Sequence, residues 1–182
     1  MYGLVNQSIK HMICDHYGKE QWEAILKSLD HDGIFVAMDQ YPDEMTGQIV
    51  GAAMGVLDKE GGEILEEVGE YWIEFAANPY KDMFDMSGNT FLEFTKNLND
   101  LHTRVGHLMP NLKPPSFFVT EETESSFTLH YHSVREGVWP MVVGLMKGLG
   151  KRFNTEVEIE HTKGREDGLD HDQFSVSYQL KD

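Results

Sequence analysis

The chain has 182 residues, 40% of them hydrophobic, with 15 basic against 31 acidic side chains and a formal charge of −16. That length can bury a core as one unit without internal repeats, and the charge repels phosphate backbones and anionic lipid, so neither nucleic acid nor membrane is expected as a partner. No apolar run reaches the roughly 18 residues of a membrane span, no basic-then-apolar leader opens the chain, and a lone Cys14 excludes an internal disulfide, so a cytoplasmic location is expected.

In chain order, Val5, Ile9, Met12, Ile13 and His16 share one face of an opening helix that stops at Gly18. Trp22, Ile25, Leu26 and Leu29 mark a second helix, expected to end near Asp32-Gly33. A loop with Tyr41-Pro42 leads to a third, from about Glu44 to Leu57. After Gly61-Gly62, the stripe Ile64, Leu65, Val68, Trp72 and Phe75 defines a fourth, closed by Asn78-Pro79. Thr90-x-x-Glu93 has the form of a capping box and starts one long helix, Phe91 to Met109, ended by Pro110. Two strands follow, near Phe117 to Glu121 and Phe127 to Ser133, joined by the polar turn Glu122 to Ser126. Pro140 begins a last helix rich in Met141, Val142, Leu145 and Leu149. Alternating Val157, Ile159 and His161, then Phe174, Val176 and Tyr178, complete an antiparallel sheet. The expected fold is α+β: a mostly helical N-terminal lobe and a C-terminal lobe carrying an antiparallel sheet and helices.

Two features carry chemistry. Along the long helix Phe91, Phe94, Leu98, Leu101, Val105 and Met109 recur at three- and four-residue spacing, and His102 falls roughly 20° from the Phe91 direction, inside the stripe. A buried imidazole needs a hydrogen bond or a metal, and neutral imidazole is a common axial ligand of heme iron. In the second strand Phe127, Leu129, Tyr131, Ser133 and Arg135 stand at alternate positions on one face, greasy first and anion-binding last. Phenol, hydroxyl and guanidinium together make a fork of donors that fits a carboxylate or phosphate, heme propionates included. Each feature alone has a plainer reading: a hydrogen-bonded core histidine, and a core tyrosine followed by a strand-end serine and a surface arginine.

Taken together, His102 and Tyr131-x-Ser133-x-Arg135 resemble the heme nitric oxide/oxygen binding (H-NOX) family, bacterial relatives of the heme domain of soluble guanylate cyclase. The likeness runs from the opening Met-Tyr-Gly-Leu-Val through Leu101-His102-x-Arg104-Val105-Gly106 and Pro114-Pro115 to Gly144-Leu145. It implies one domain over residues 1–182 that holds heme b between two lobes, a distal helical lobe of about residues 1–60 and a proximal lobe of about 61–182. By the same resemblance, His102 is the iron ligand, Tyr131, Ser133 and Arg135 grip the propionates, and Pro115 presses on the porphyrin. Val5, Ile9, Leu65, Val68, Trp72, Pro140 and Leu145 are candidate wall residues of the distal pocket.

Gas selectivity follows from the donors near the iron. Bound oxygen carries partial negative charge and needs a hydrogen-bond donor, whereas nitric oxide binds ferrous heme without one. Oxygen-binding members of the family place a tyrosine where this chain has Pro140 and a tryptophan where it has Ile9, and proline donates nothing. The resemblance therefore implies a sensor for nitric oxide that also binds carbon monoxide, excludes stable oxygen and is not an enzyme. Weakening of the bond from iron to His102 would free its helix and shift the lobes. The output is expected on a separate partner, a histidine kinase or a cyclic-dinucleotide enzyme. A heme enzyme of peroxidase or dioxygenase type, and a binding protein for another carboxylate-bearing apolar ligand, are the alternatives.

Other constellations are weaker. His130 and His132 alternate on the face opposite Tyr131 at a spacing that suits zinc or nickel, but no third ligand stands at a telling distance, so a solvated or partner-facing pair is expected. Asp170-His171-Asp172 reads as a solvated turn, as does Glu121-Glu122-x-Glu124. Gly144, Gly148 and Gly150 lack the phosphate-loop spacing and read as close helix packing.

Overall fold

The computed structural model describes residues 1–29 and 31–181. Three helices, α1 (Gly3–Tyr17), α2 (Lys19–Lys27) and α3 (Asp43–Leu57), open the chain and bury their apolar stripes against one another. Ile9, Met12, Ile13, Trp22, Ile25 and Ile49 form that core, each worth about 1.5–3 kcal/mol of transfer free energy when fully buried. The helix α2 ends at Lys27, short of the expected Asp32-Gly33. The Ser28 and Leu29 amides reach back to the Ile25 and Leu26 carbonyls at 3.1 and 3.0 Å, tightening the last turn.

Helix α4 (Gly61–Ala77) starts with a reciprocal cap between Glu60 and Glu63. Its first half gives Ile64 and Val68 to the α1–α3 core, and its second half gives Ile73, Ala76 and Ala77 to a larger core with the rest of the chain. A five-residue helix, α5 (Lys81–Asp85), is too short to show a periodic stripe in the sequence. The long helix expected from Phe91 to Met109 is two pieces, α6 (Phe91–Lys96) and α7 (Leu98–Leu108). Asn97 breaks it: the backbone turns to φ −94°, ψ 8°, and the side-chain amide donates to the Ser87 carbonyl at 2.9 Å. Thr90 caps α6 as expected, its hydroxyl accepting from the Glu93 amide at 3.2 Å, while the Glu93 carboxylate accepts from Asn89.

The remaining chain builds a four-stranded antiparallel sheet from β1 (Ser116–Thr120), β2 (Ser126–His132), β3 (Thr155–Lys163) and β4 (Asp172–Leu180), in the order β1-β2-β4-β3. Helix α8 (Trp139–Arg152) joins β2 to β3, with Pro140 in its first turn, where a missing N–H costs nothing. Phe127, Leu129 and Tyr131 of β2, with Phe174 and Val176 of β4, face the core. Helix α8 lies along α4 at glycine contacts. A Cβ on Gly144 would come within 1.8 Å of the Glu66 carbonyl oxygen, and one on Gly69 within 2.1 Å of that of Met141. Close helix packing, as expected, accounts for Gly144 and Gly148, whereas Gly150 is held close by Thr155 and Val157 of β3 instead of by a helix. Lys147, Lys151 and Arg152 add ion pairs to Glu66, Glu70 and Glu74 along the same seam. The architecture is the expected mixture of helices and antiparallel sheet.

Candidate functional site

His102 lies on α7 one residue after the buried Leu101, with the Phe117 ring of β1 6.0 Å away between centroids. Its Nδ1 is buried and has no hydrogen-bond partner among the described residues. Such an atom is unusual, because an unsatisfied buried group costs about 1–3 kcal/mol. Desolvation pushes the imidazole pKa down, against a smaller upward pull from the Pro115 backbone. The ring is thus held neutral near pH 7 with a lone pair to give, which is the state a metal requires. Pro115 itself is half-buried, immediately before β1.

Tyr131 is 5% exposed at the end of β2, its ring 5.3 Å from Phe117, so one aromatic ring separates it from His102. Burial raises its phenol above the ordinary range, opposed by Ser133 and Arg135. The strand stops at His132, so the shared face expected to run through Arg135 ends at Tyr131. Ser133 and Arg135 stand in the turn beyond, where the Ser133 hydroxyl accepts from the Arg135 amide at 3.0 Å.

The Arg135 fork already shows what it binds. Its Nε and Nη2 donate to the two Asp43 carboxylate oxygens at 2.8 and 3.4 Å, and Nη1 donates to the Lys113 carbonyl at 3.1 Å. Burial alone would raise the Asp43 pKa, but hydrogen bonds from the Met1 ammonium and from Arg135 hold it below the usual carboxylate range. Asp43 escapes sequence reasoning because it is an ordinary first-turn acid on α3, 92 positions from the arginine it meets. Phe117, the ring that joins histidine to tyrosine, gives no sequence signal beyond strand alternation.

The remaining candidates fall in different places. Trp72 and Leu145 pack against the larger core that holds Leu101, Phe117 and Tyr131, and Trp72 also touches the smaller cluster of Tyr2, Leu4 and Met109. Ile9 is 1% exposed inside the α1–α3 core, where Leu65 and Val68 also sit. Val5 is half-buried on α1, and Pro140 is buried beside Gly62. A cleft of about 820 Å³ opens between α1 and α4, lined by Leu4, His11, Tyr71, Phe75 and Tyr80 among others. Neither His102 nor Tyr131, Ser133, Arg135 or Pro115 lines it. The chemistry therefore concentrates near the α7–β1–β2 corner: a buried imidazole one aromatic ring from a buried phenol, with the Arg135 fork in the turn beyond, holding Asp43.

The family profile described as Haem-NO-binding matches residues 2–161. The soluble guanylate cyclase gcy-31 of Caenorhabditis elegans is 29% identical over 163 residues, which is 88% of this chain and 23% of that protein. This chain spans about a quarter of the length of the guanylate cyclases it matches. The fold superposes on an unliganded Fe(II) H-NOX protein from K. algicida with a TM-score of 0.86 at 22% identity, covering 100% of this chain and 98% of that one. It also superposes on an H-NOX protein from S. oneidensis in the Fe(II)NO ligation state, with a TM-score of 0.88 at 20% identity and coverage of 98% and 99%. The chain belongs to the Haem-NO-binding (H-NOX) family of heme-binding gas-sensor domains, related to the heme domains of soluble guanylate cyclases.

Proposed function

We propose that the chain is a nitric oxide sensor that holds heme b through His102, binds carbon monoxide as well, and does not hold oxygen stably. The observation that carries this reading is the buried Nδ1 of His102 without a partner among the described residues, one ring away from Tyr131 at the head of the clamp. The residues fit the group: a neutral imidazole for the iron, and Tyr131, Ser133 and Arg135 for the acidic tails, with Pro115 against the macrocycle. When bound, heme iron supplies an open coordination position for a diatomic gas.

Each residue then has a physical task. His102 fixes α7 to the cofactor, so the position of that helix depends on the bond its ring makes. Arg135 exchanges one carboxylate for another, releasing Asp43 and with it a tie between the β2 turn and the start of α3. Pro140 and Ile9 present no donor to a polarised ligand, which favours nitric oxide over oxygen. The helices of about residues 1–60 serve as a distal lobe and about 61–182 as a proximal lobe. A change in their arrangement is read by a cytoplasmic effector of the histidine kinase or cyclic-dinucleotide enzyme class. Binding, without turnover, is the role of the chain itself, and any bias between arrangements must come from unequal ligand affinity for them.

The test is an absorption spectrum of the purified protein, reduced and exposed separately to nitric oxide, carbon monoxide and air. We expect clear changes with the first two gases and none on brief exposure to air. A lasting oxygen-dependent change would overturn the selectivity, and colourless protein after expression with ample porphyrin would overturn the heme reading. The hold of Arg135 on a carboxylate also supports a binding protein for some other acid-bearing apolar ligand. That reading requires ligand loss in Arg135→Ala with full retention in His102→Gly.

A further inference from the structure

On the outer face of the sheet, opposite Tyr131, four side chains converge that the heme reading does not use. The β2–β4 register pairs Tyr131 with Asp172 and His130 with Gln173, so the next step in that register sets His132 across from His171. The two rings stack with centroids 4.2 Å apart and an interplanar angle of 19°. This is the third ligand that sequence spacing could not reveal, because it comes from a neighbouring strand's approach instead of the same strand. His132, Asp170 and His171 each offer one ligand atom, and these atoms lie within 4.8 Å of one another.

We propose that His132, His171 and Asp170 form a divalent-cation site of zinc type, separate from the heme site. Two imidazole nitrogens and one carboxylate oxygen are a common zinc donor set, with water left to fill a fourth position. Donors around a tetrahedral zinc at about 2.0–2.1 Å stand roughly 3.3 Å apart. Reaching that spacing requires the half-buried His132 ring to turn out of its stack on His171, so that both lone pairs meet in their ring planes, and the exposed Asp170 carboxylate to swing toward them. With no sulfur among the three donors the set favours a borderline divalent metal over soft monovalent ones, and the strongly negative chain draws cations toward its surface.

A hydrogen-bonded line behind the site orients the central ligand. Thr120 Oγ1 meets His130 Nε2 at 2.7 Å, His130 Nδ1 meets His171 Nε2 at 2.9 Å, and His171 Nδ1 meets Asp170 Oδ1 at 2.7 Å. The line can run in either direction. With protons on both Nδ1 atoms, His171 donates to Asp170 and Thr120 donates to His130. With protons on both Nε2 atoms, Thr120 and His130 accept, the Gln173 amide 3.3 Å from His171 Nε2 turns its oxygen toward that N–H, and the His171 Nδ1 lone pair is bared toward the carboxylate. Lone pair facing carboxylate is repulsive unless a cation sits between them. A metal selects that second direction without any net proton release, and His130 then holds the His171 ring as a positioning residue.

The experiment is isothermal titration of chelator-stripped, tag-free protein with zinc chloride, together with metal analysis after dialysis. We expect one saturable equivalent of zinc in the parent chain and in His107→Ala, whose histidine is exposed on α7. His132→Ala, His171→Ala and Asp170→Asn are expected to weaken binding by at least about tenfold. Asp170→Asn changes only an exposed side chain, so its far-ultraviolet dichroism and melting curve should match the parent and keep the result free of misfolding. No saturable uptake by the parent, or uptake unaltered in Asp170→Asn and His171→Ala, would overturn the site.

Discussion

A buried imidazole with an unpartnered nitrogen is a cost that folding alone gives no reason to carry. Replacing His102 by leucine removes that cost and keeps the volume apolar. We expect His102→Leu to stabilise the heme-free chain by about 1 kcal/mol in urea unfolding, the relief at Nδ1 being partly offset by the lost hydrogen bond to the Pro115 backbone, while His102→Gly loses heme unless imidazole is supplied. A destabilised leucine variant would mean that the ring is a structural member of the core. Asp43 is the second residue whose behaviour follows from its partners. Its folded pKa lies below the ordinary 3.8, so its contribution to stability is present above that value and is lost as pH falls through the folded one. Carboxyl-carbon NMR of the heme-free chain should show a midpoint below 3.8, moving upward in Arg135→Ala. At this scale His102 was legible because three- and four-residue spacing exposes a polar intruder on an apolar stripe. The Asp43 partnership was not, because side chains 92 positions apart leave no local pattern.

Among the elements, the α4–α8 seam has the least tolerance. Gly69 and Gly144 let two backbones approach so closely that any side chain meets a carbonyl oxygen and not a flexible neighbour. Gly144→Ala is therefore expected to destabilise the fold by about 1–3 kcal/mol or more, read as a fall in the urea midpoint with little change in slope. The ion pairs beside the seam, Lys147 with Glu66 and Lys151 with Glu70, are partly exposed and offset little of that loss. Periodicity located most helices and all four strands, since each buries one face. It missed the break at Asn97, where one side-chain amide diverts to Ser87, and the end of β2 at His132, where the Ser133 hydroxyl starts a turn. Both are local hydrogen bonds that compete with regular structure, and neither alters the apolar pattern from which the elements are read.

For the molecule as a whole, the order of elements along the chain already separates a helical beginning from a sheet-bearing end. Less visible is that α4 belongs to both cores, Ile64 and Val68 at one end and Ile73, Ala76 and Ala77 at the other. A hydrophobic stripe records only that a face is covered, not which partners cover it. A beam embedded in two walls cannot come loose at one without straining the other. The amides of Gly69 to Trp72, midway between the anchorages, should therefore exchange with deuterium only through complete unfolding, and at one shared rate. Separate, faster exchange there would show that the two walls open independently.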